Sequence, residues 1–208
     1  MPVAGMVTPA RSDAFKNLQL NAGAFLINWD YSTYEDATAM RTALATALQD
    51  TTKLLGATRG GGSFTVTSEI RDPDMDGKRY RFKGGAFVDS VDAALTGTLV
   101  EVIPETFAKV LATGDVATSG AKKTVTMHTA IKDEDYLEKL VWVGDMSDGG
   151  LVLIALKNAL NTNGMTLTFA DKDEGTIPFE FHAFQDVVED YDNAPFEVIF
   201  LDAPSNGG

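Results

Sequence analysis

The sequence predicts a mainly β fold, a sandwich or barrel flanked by one or two helices, and three observations predict it. Short runs alternate apolar and polar residues with period two. Gly, Asn and Asp turn pairs separate those runs at the spacing of a sandwich or barrel. Only two segments carry helical signals. With 208 residues, 44% of them apolar, the chain can bury one core with elaborations.

The first helix is expected at 36–55, where Met40, Leu44, Ala47, Leu48 and Leu55 fall on one stripe at helical spacing. The segment "GATRGGGS" (56–63) follows. It spaces Gly56 and Gly61 as a phosphate loop would, but Gly62 stands where the lysine is needed. It also opens a strand rather than a helix, so it is read as a flexible or tightly turning connector. In "SFTVTSEIR" (63–71), Phe64, Val66 and Ile70 point one way and Thr65, Thr67 and Glu69 the other, the pattern of a half-buried strand.

"RDPDMDGK" (71–78) has the first half of a calcium loop, with Asp72, Asp74 and Asp76 at alternate positions before Gly77. The twelfth position, where a bidentate glutamate belongs, is Lys83. Both flanks, "SFTVTSEIR" and "KRYRF", alternate as strands do rather than as helices. The stretch is therefore read as the tip of an extended hairpin spanning 64–83.

A long strand is expected over 85–103, with Val91, Ala93, Leu95 and Leu99 on one face and Ser90, Asp92, Thr96 and Thr98 on the other. Pro104 at a first helical position and Glu105 after it start a short helix to Leu111. Residues 112–123 read as a small-residue linker, followed by a strand in "TVTMHTAI" with Val125, Met127 and Ile131 aligned. "KLVWVGD" and "GLVLIALKNAL" flank Asp148-Gly149-Gly150. "MTLTFA" follows Asn163-Gly164, "TIPFEFHAF" follows the acidic turn 171–175, and "PFEVIFLD" comes last.

Composition bounds function. The net charge is −13, and residues 111–208 carry 17 acidic against 6 basic groups, while 1–110 carry 13 against 11. That balance argues against gripping nucleic acid, which needs clustered Lys and Arg. There is no cysteine, so disulfides and thiolate metal sites are excluded. No apolar run reaches a membrane span and no signal peptide is evident; a soluble protein made in a cytoplasm, without membrane binding, is expected. His128 and His182 are the only histidines and both lie in strand patterns. No Gly-x-Ser-x-Gly elbow occurs. Trp29 and Trp142 read as packing or interface anchors. No enzyme, cofactor or metal site is expected.

Three phrases carry a resemblance: "LLGATRGGGSFTVTSEIR" (54–71), "DSVDAALTGTLVEVIPETFAKVL" (89–111) and the long run from Asp135 to Asp186 beginning "DYLEKLVWVGD". In order and length, over about residues 20–202, the chain resembles the tail tube (major tail) proteins of tailed bacteriophages. The resemblance implies one domain: an N-terminal arm (1–19), a β-sandwich core (20–202) and a C-terminal tail (203–208). It implies a virion component whose partners are its own copies and other phage tail proteins. Such subunits form rings, typically hexameric, stacked into a hollow tube through which DNA passes without specific binding. Under that implication, Ser90, Asp92, Thr96, Thr98, Thr166, Thr168, Glu180 and His182 are candidates for the lumen wall. The tip residues Asp72, Asp74, Asp76 and Gly77 are candidates for a contact between rings.

Two readings from other classes stay open. A monomeric β-sandwich binding module, for carbohydrate or calcium, would share the turns and the acidity; it predicts a concave aromatic patch and no self-assembly. A hydrolase would need carboxylates converging in a pocket. The calcium reading is directly testable. Because a cation sits at the key ligand position, millimolar calcium should leave the melting temperature unchanged, whereas a site filled to a hundred times its Kd would add about 2.7 kcal/mol. A clear rise in melting temperature, abolished by Asp74→Ala, would restore the calcium loop.

Overall fold

Period-two alternation becomes strands wherever a neighbouring strand is available to pair. In the computed structural model, which describes residues 17–186 and 193–203, the strands are β1 (Gln19–Ile27), β2 (Thr58–Arg71), β3 (Phe87–Leu99), β4 (Gly114–Ser119), β5 (Lys122–Met127), β6 (Leu137–Met146), β7 (Leu151–Asn161), β8 (Ile177–His182) and β9 (Phe196–Leu201). Two helices, α1 (Ala37–Ala47) and α2 (Pro104–Val110), interrupt them. The protein is mainly β, and its sheet is antiparallel and curled: the order is β1-β6-β7-β8-β3-β2, with β9 beside β7, and β4-β5 form a separate pair.

The curl turns on β7. Residues Leu151–Leu156 pair with both β6 and β9, whereas Leu160 and Asn161 pair with β8. Between these stretches Asn158 has φ +46°, a left-handed conformation that Asn tolerates better than most residues. One strand thus serves two layers. Phe25, Ile27, Leu140 and Leu156 from the first layer meet Leu95, Leu99, Phe179 and Phe181 from the second in a single cluster. Phe25 and Phe179 touch edge to face, with ring centroids 5.2 Å apart.

The outer face of the first layer is covered by α1. Leu26, Val141, Val143, Leu153 and Ala155 pack there against Met40, Ala47, Trp29 and Tyr31. Asp36 caps the helix by accepting from the Thr38 and Ala39 N–H groups at 2.9 and 2.8 Å. α2 closes one end of the sandwich. There the Thr106 hydroxyl donates to the Leu55 carbonyl at 2.7 Å, and Asn161 Nδ2 donates to the Val110 carbonyl at 2.6 Å. No helix among the described residues is long and apolar enough to cross a membrane.

Several expected elements differ. The first helix ends at Ala47, not near 55. Asp50 accepts from the Thr52 N–H and hydroxyl, a local turn that competes with the helix. Leu54 and Leu55 then rejoin β1 through the Leu26–Leu54 bridge and the Leu55 N–H to Phe25 O bond. The glycine connector is not a free linker: β2 begins at Thr58 and runs through it. The expected 64–83 hairpin does not form. Its first arm pairs instead with β3, from Phe64↔Leu95 to Arg71↔Phe87, which leaves 72–86 as a loop.

The 112–123 linker is mostly strand, because Gly120 at φ +60° turns β4 directly into β5. β5 ends at Met127, so Ile131 lies beyond the strand, and both Met127 and Ile131 are exposed. "MTLTFA" makes only the Thr168–Thr176 bridge, although Met165 and Leu167 still pack inward. Residues 1–16 of the expected arm and 204–208 of the expected tail lie outside the described residues.

Gly97 shows how closely the layers fit. It pairs with Phe179, and an added Cβ would lie 2.5 Å from the Phe179 Cζ. Gly97→Ala should therefore cost about 1–3 kcal/mol by denaturant titration and markedly less in a Phe179→Leu background. Equal costs in both backgrounds would show that the ring is not what fills the space.

Candidate functional site, a polar sheet face and a projecting ribbon

Among the described residues, no helix packs over the outer face of the second layer. Residues directly opposite in antiparallel strands share a face, so the register defines its membership. The pairs Ser63↔Thr96, Thr65↔Ala94, Thr67↔Asp92 and Glu69↔Ser90 join β2 to β3, and Thr96↔Glu180, Ala94↔His182 and Thr98↔Pro178 join β3 to β8. The alternate pairs, Leu95↔Phe181, Gly97↔Phe179 and Leu99↔Ile177, belong to the core. Alternation thus separates an apolar inner side from a polar outer one.

Six of the eight sequence-predicted residues, Ser90, Asp92, Thr96, Thr98, Glu180 and His182, lie on this one face. Hydrogen bonds knit it together. Ser63 and Thr96 hydroxyls lie 2.7 Å apart, His182 Nδ1 is 2.8 Å from Asp92, and Asn163 Nδ2 donates to Glu180 at 2.7 Å. Thr166 is not on a strand, but with Thr96, Asn163 and Glu180 it lines one hollow of about 290 Å³. Thr168 is held by its bridge to Thr176 and does not line that hollow. None of the strand residues assigned to the face by these pairs is Lys or Arg, so its fixed charges are the carboxylates of Glu69, Asp92 and Glu180.

Sequence reasoning did not join Ser63, Thr65, Thr67 and Glu69 of β2 to this face. Their alternation was visible, but the partner strand was assigned wrongly, and only the β2–β3 register places them there.

The far half of the β2–β3 pair leaves the body as a two-stranded ribbon. Val66, Ile70, Phe87, Val88 and Val91 are exposed there, Ile70 at 63% and Val88 at 60%. A bulge shifts the register between Glu69 and Ile70, and Arg71 bonds Asp89 at 2.8 Å while lying over the Phe87 ring. Beyond it, loop 72–86 exposes Met75, Tyr80 and Phe82. Asp72 does not stand open toward a ligand: the Lys78 ammonium bonds both its carboxylate and the Pro73 carbonyl, and Arg81 lies 3.5 Å away. Gly77 turns the loop at φ +83°, while Asp74 and Asp76 have no ion-pair partner among the described residues.

No family model and no curated protein matches the chain. Among solved structures, it is similar to a chain from the virion of a native gene transfer agent (GTA) particle, at a TM-score of 0.39 and 12% identity, over 78% of this chain and 92% of that one. At that score and identity the likeness assigns neither family nor function.

The two faces of β3 should respond differently to truncation. Leu95, 2% exposed, should cost about 2–5 kcal/mol as Leu95→Ala. Its neighbour should cost about 1 kcal/mol as Thr96→Ala, the value of one surface hydrogen bond. Equal losses in thermal or denaturant unfolding would contradict the assignment of faces.

Proposed function

We propose that the chain is a tail tube subunit of a phage-like particle, which closes into rings that stack into a hollow tube. The observation that carries this reading is the ribbon. A two-stranded pair outside a sheet is marginal in water, and a monomer rarely leaves a contiguous apolar stripe such as Val66, Ile70, Val88 and Val91 open. A neighbouring copy would bury it. The sheet also has unpaired edges: β2 pairs only with β3, and β9 only with β7, among the described residues. Such edges invite pairing with another chain, and a head-to-tail contact that closes makes a ring.

In this reading the polar face of β2, β3 and β8 is the wall of the lumen. Between Ser63 and Glu69 and across to β8 its paired residues offer small hydroxyls, carboxylates and one histidine without Lys or Arg, which would let DNA slide, since grip on the backbone comes from cationic contacts. The ribbon and the loop at its tip, with Asp72, Asp74, Asp76 and Gly77, reach the next ring. The sequence resemblance over residues 20–202 supports the same reading independently of the geometry. A hexamer, and partnership with other tail proteins, come from that resemblance alone.

Electron microscopy of the purified full chain tests the proposal. Rings or tubes are expected at high concentration, and the double variant Ile70→Asp/Val88→Asp should remain folded yet yield only subunits or isolated rings. Monodisperse monomers from the unmodified chain at every concentration would favour the monomeric binding module. Normal tubes from the double variant would remove the ribbon from assembly.

A further inference from the structure

The β4–β5 pair is a satellite: it has no strand partner in the main sheet and leans on α2. Its base is closed by two bonds between Thr113 and His128. The His128 N–H donates to the Thr113 carbonyl at 3.1 Å, and the Thr113 hydroxyl donates to the His128 carbonyl at 2.8 Å. The His128 side chain does something else. Its Nδ1 lies 3.0 Å from Asp115 Oδ2, on β4, and its Nε2 lies 2.9 Å from Asp135 Oδ2. Asp135 belongs to a 3-10 turn (Asp133–Asp135) that leads into β6.

A neutral imidazole has one N–H donor and one acceptor nitrogen, and an ionised carboxylate only accepts. Both contacts can be hydrogen bonds together only when both ring nitrogens carry a proton. The second histidine, His182, is not held this way, since its Nε2 stands 3.5 Å from Glu180. We propose that His128 is a proton-operated latch: the imidazolium clamps the β4–β5 hairpin to the turn before β6, and loss of its proton frees one carboxylate and lets the hairpin swing away.

The surroundings favour the closed form. Hydrogen bonds to Asp135 and then Asp115 push the His128 pKa above its ordinary value against partial burial, with nearby Lys132 as a weaker opposing charge. Burial opposes the charge of Asp135, whose side chain is only 6% exposed. The Lys132 N–H, donating at 2.7 Å, and His128 outweigh that burial and hold its carboxyl below the usual range. The other charged groups on the elements packed here include Lys132, Asp133 and Glu134 at the turn, Glu105 and Lys109 on α2, Lys122 and Lys123 on β5, and Glu138 on β6. Lys132 bonds Glu134, and Glu105 bonds Lys123.

The sign of the pH dependence follows. A histidine with a raised folded pKa contributes stability that is complete below its unfolded value, near 6.5, and is lost as pH rises through the folded value. A carboxylate with a lowered pKa contributes stability above its unfolded value and loses it as pH falls through the folded one. The latch is therefore closed below the ordinary histidine value, opens as pH rises through the raised value of His128, and loses the Asp135 contribution as pH falls through that carboxyl's lowered value.

Amide hydrogen exchange of the full chain, followed from pH 5.5 to 9 and corrected for intrinsic exchange, tests the latch. The β4–β5 amides should open several-fold more often as His128 titrates, while β6 and β7 amides stay protected. The His128 ring resonance is identified by its absence in His128→Gln. That variant should show the high-pH opening at every pH, and Asp135→Asn should lower the midpoint of the His128 titration. Because either variant could disturb packing, His128→Arg provides the counterpart: a permanent cation should keep the hairpin protected up to pH 9. Hairpin protection independent of pH in the unmodified chain, or unchanged in His128→Gln, would overturn the proposal.

Discussion

Everything in this molecule hangs on one strand that belongs to two layers. β7 pairs with β6 and β9 along its first half and with β8 at its end, with the turn between them made at Asn158. Side chains alternate strictly across a strand. Once β7 commits Leu151, Leu153 and Ala155 to α1 and Ile154 and Leu156 to the sandwich interior, the faces of every strand paired to it follow. The first layer then has two buried faces, one against α1 and one against the second layer. The second layer has one apolar face toward the interior and one polar face left open.

Much of this was legible in the sequence, for a physical reason. Alternation within one strand is a local property, so β3, β6, β7, β8 and β9 could be placed, and the two faces of β3 could be told apart from Leu95 and Thr96 onward. Pro104 started α2 where local rules said it would. What could not be read was pairing. The run "KRYRF" alternates as well as any strand, yet β2 takes β3 as its partner because that register puts Phe64 and Leu95 into the core. "KRYRF" could offer no such burial. Residues 112–123, taken for a linker because they are small, form β4 and the start of β5, since a two-residue turn at Gly120 suffices. The end of α1 was missed for the opposite reason: a local Asp50–Thr52 bond overrode an apolar stripe that continued to Leu55.

The candidate site was half legible on the same grounds. Ser90, Asp92, Thr96, Thr98, Glu180 and His182 were grouped from alternation and do share a face. Thr168 was grouped with them by the same rule and stands apart, because its segment never joins the sheet. The β2 contribution and the exposed ribbon depend on long-range register and were invisible. The His128 clamp was hidden too. Asp115, His128 and Asp135 are well separated in sequence and fit no spacing rule, and only the fold brings the two carboxylates to opposite edges of one ring.

The central claim is that the polar face of β2, β3 and β8 looks into an enclosed channel when copies of the chain assemble. Because the chain has no cysteine, a single thiol can report on it cleanly, and Thr96→Cys places one in the middle of that face. In assembled tubes this thiol should react with a small maleimide and be shielded from one too bulky to enter the channel, while dissociated subunits should react with both. Equal labelling by the bulky reagent along intact tubes would place the face on the outside and contradict the account.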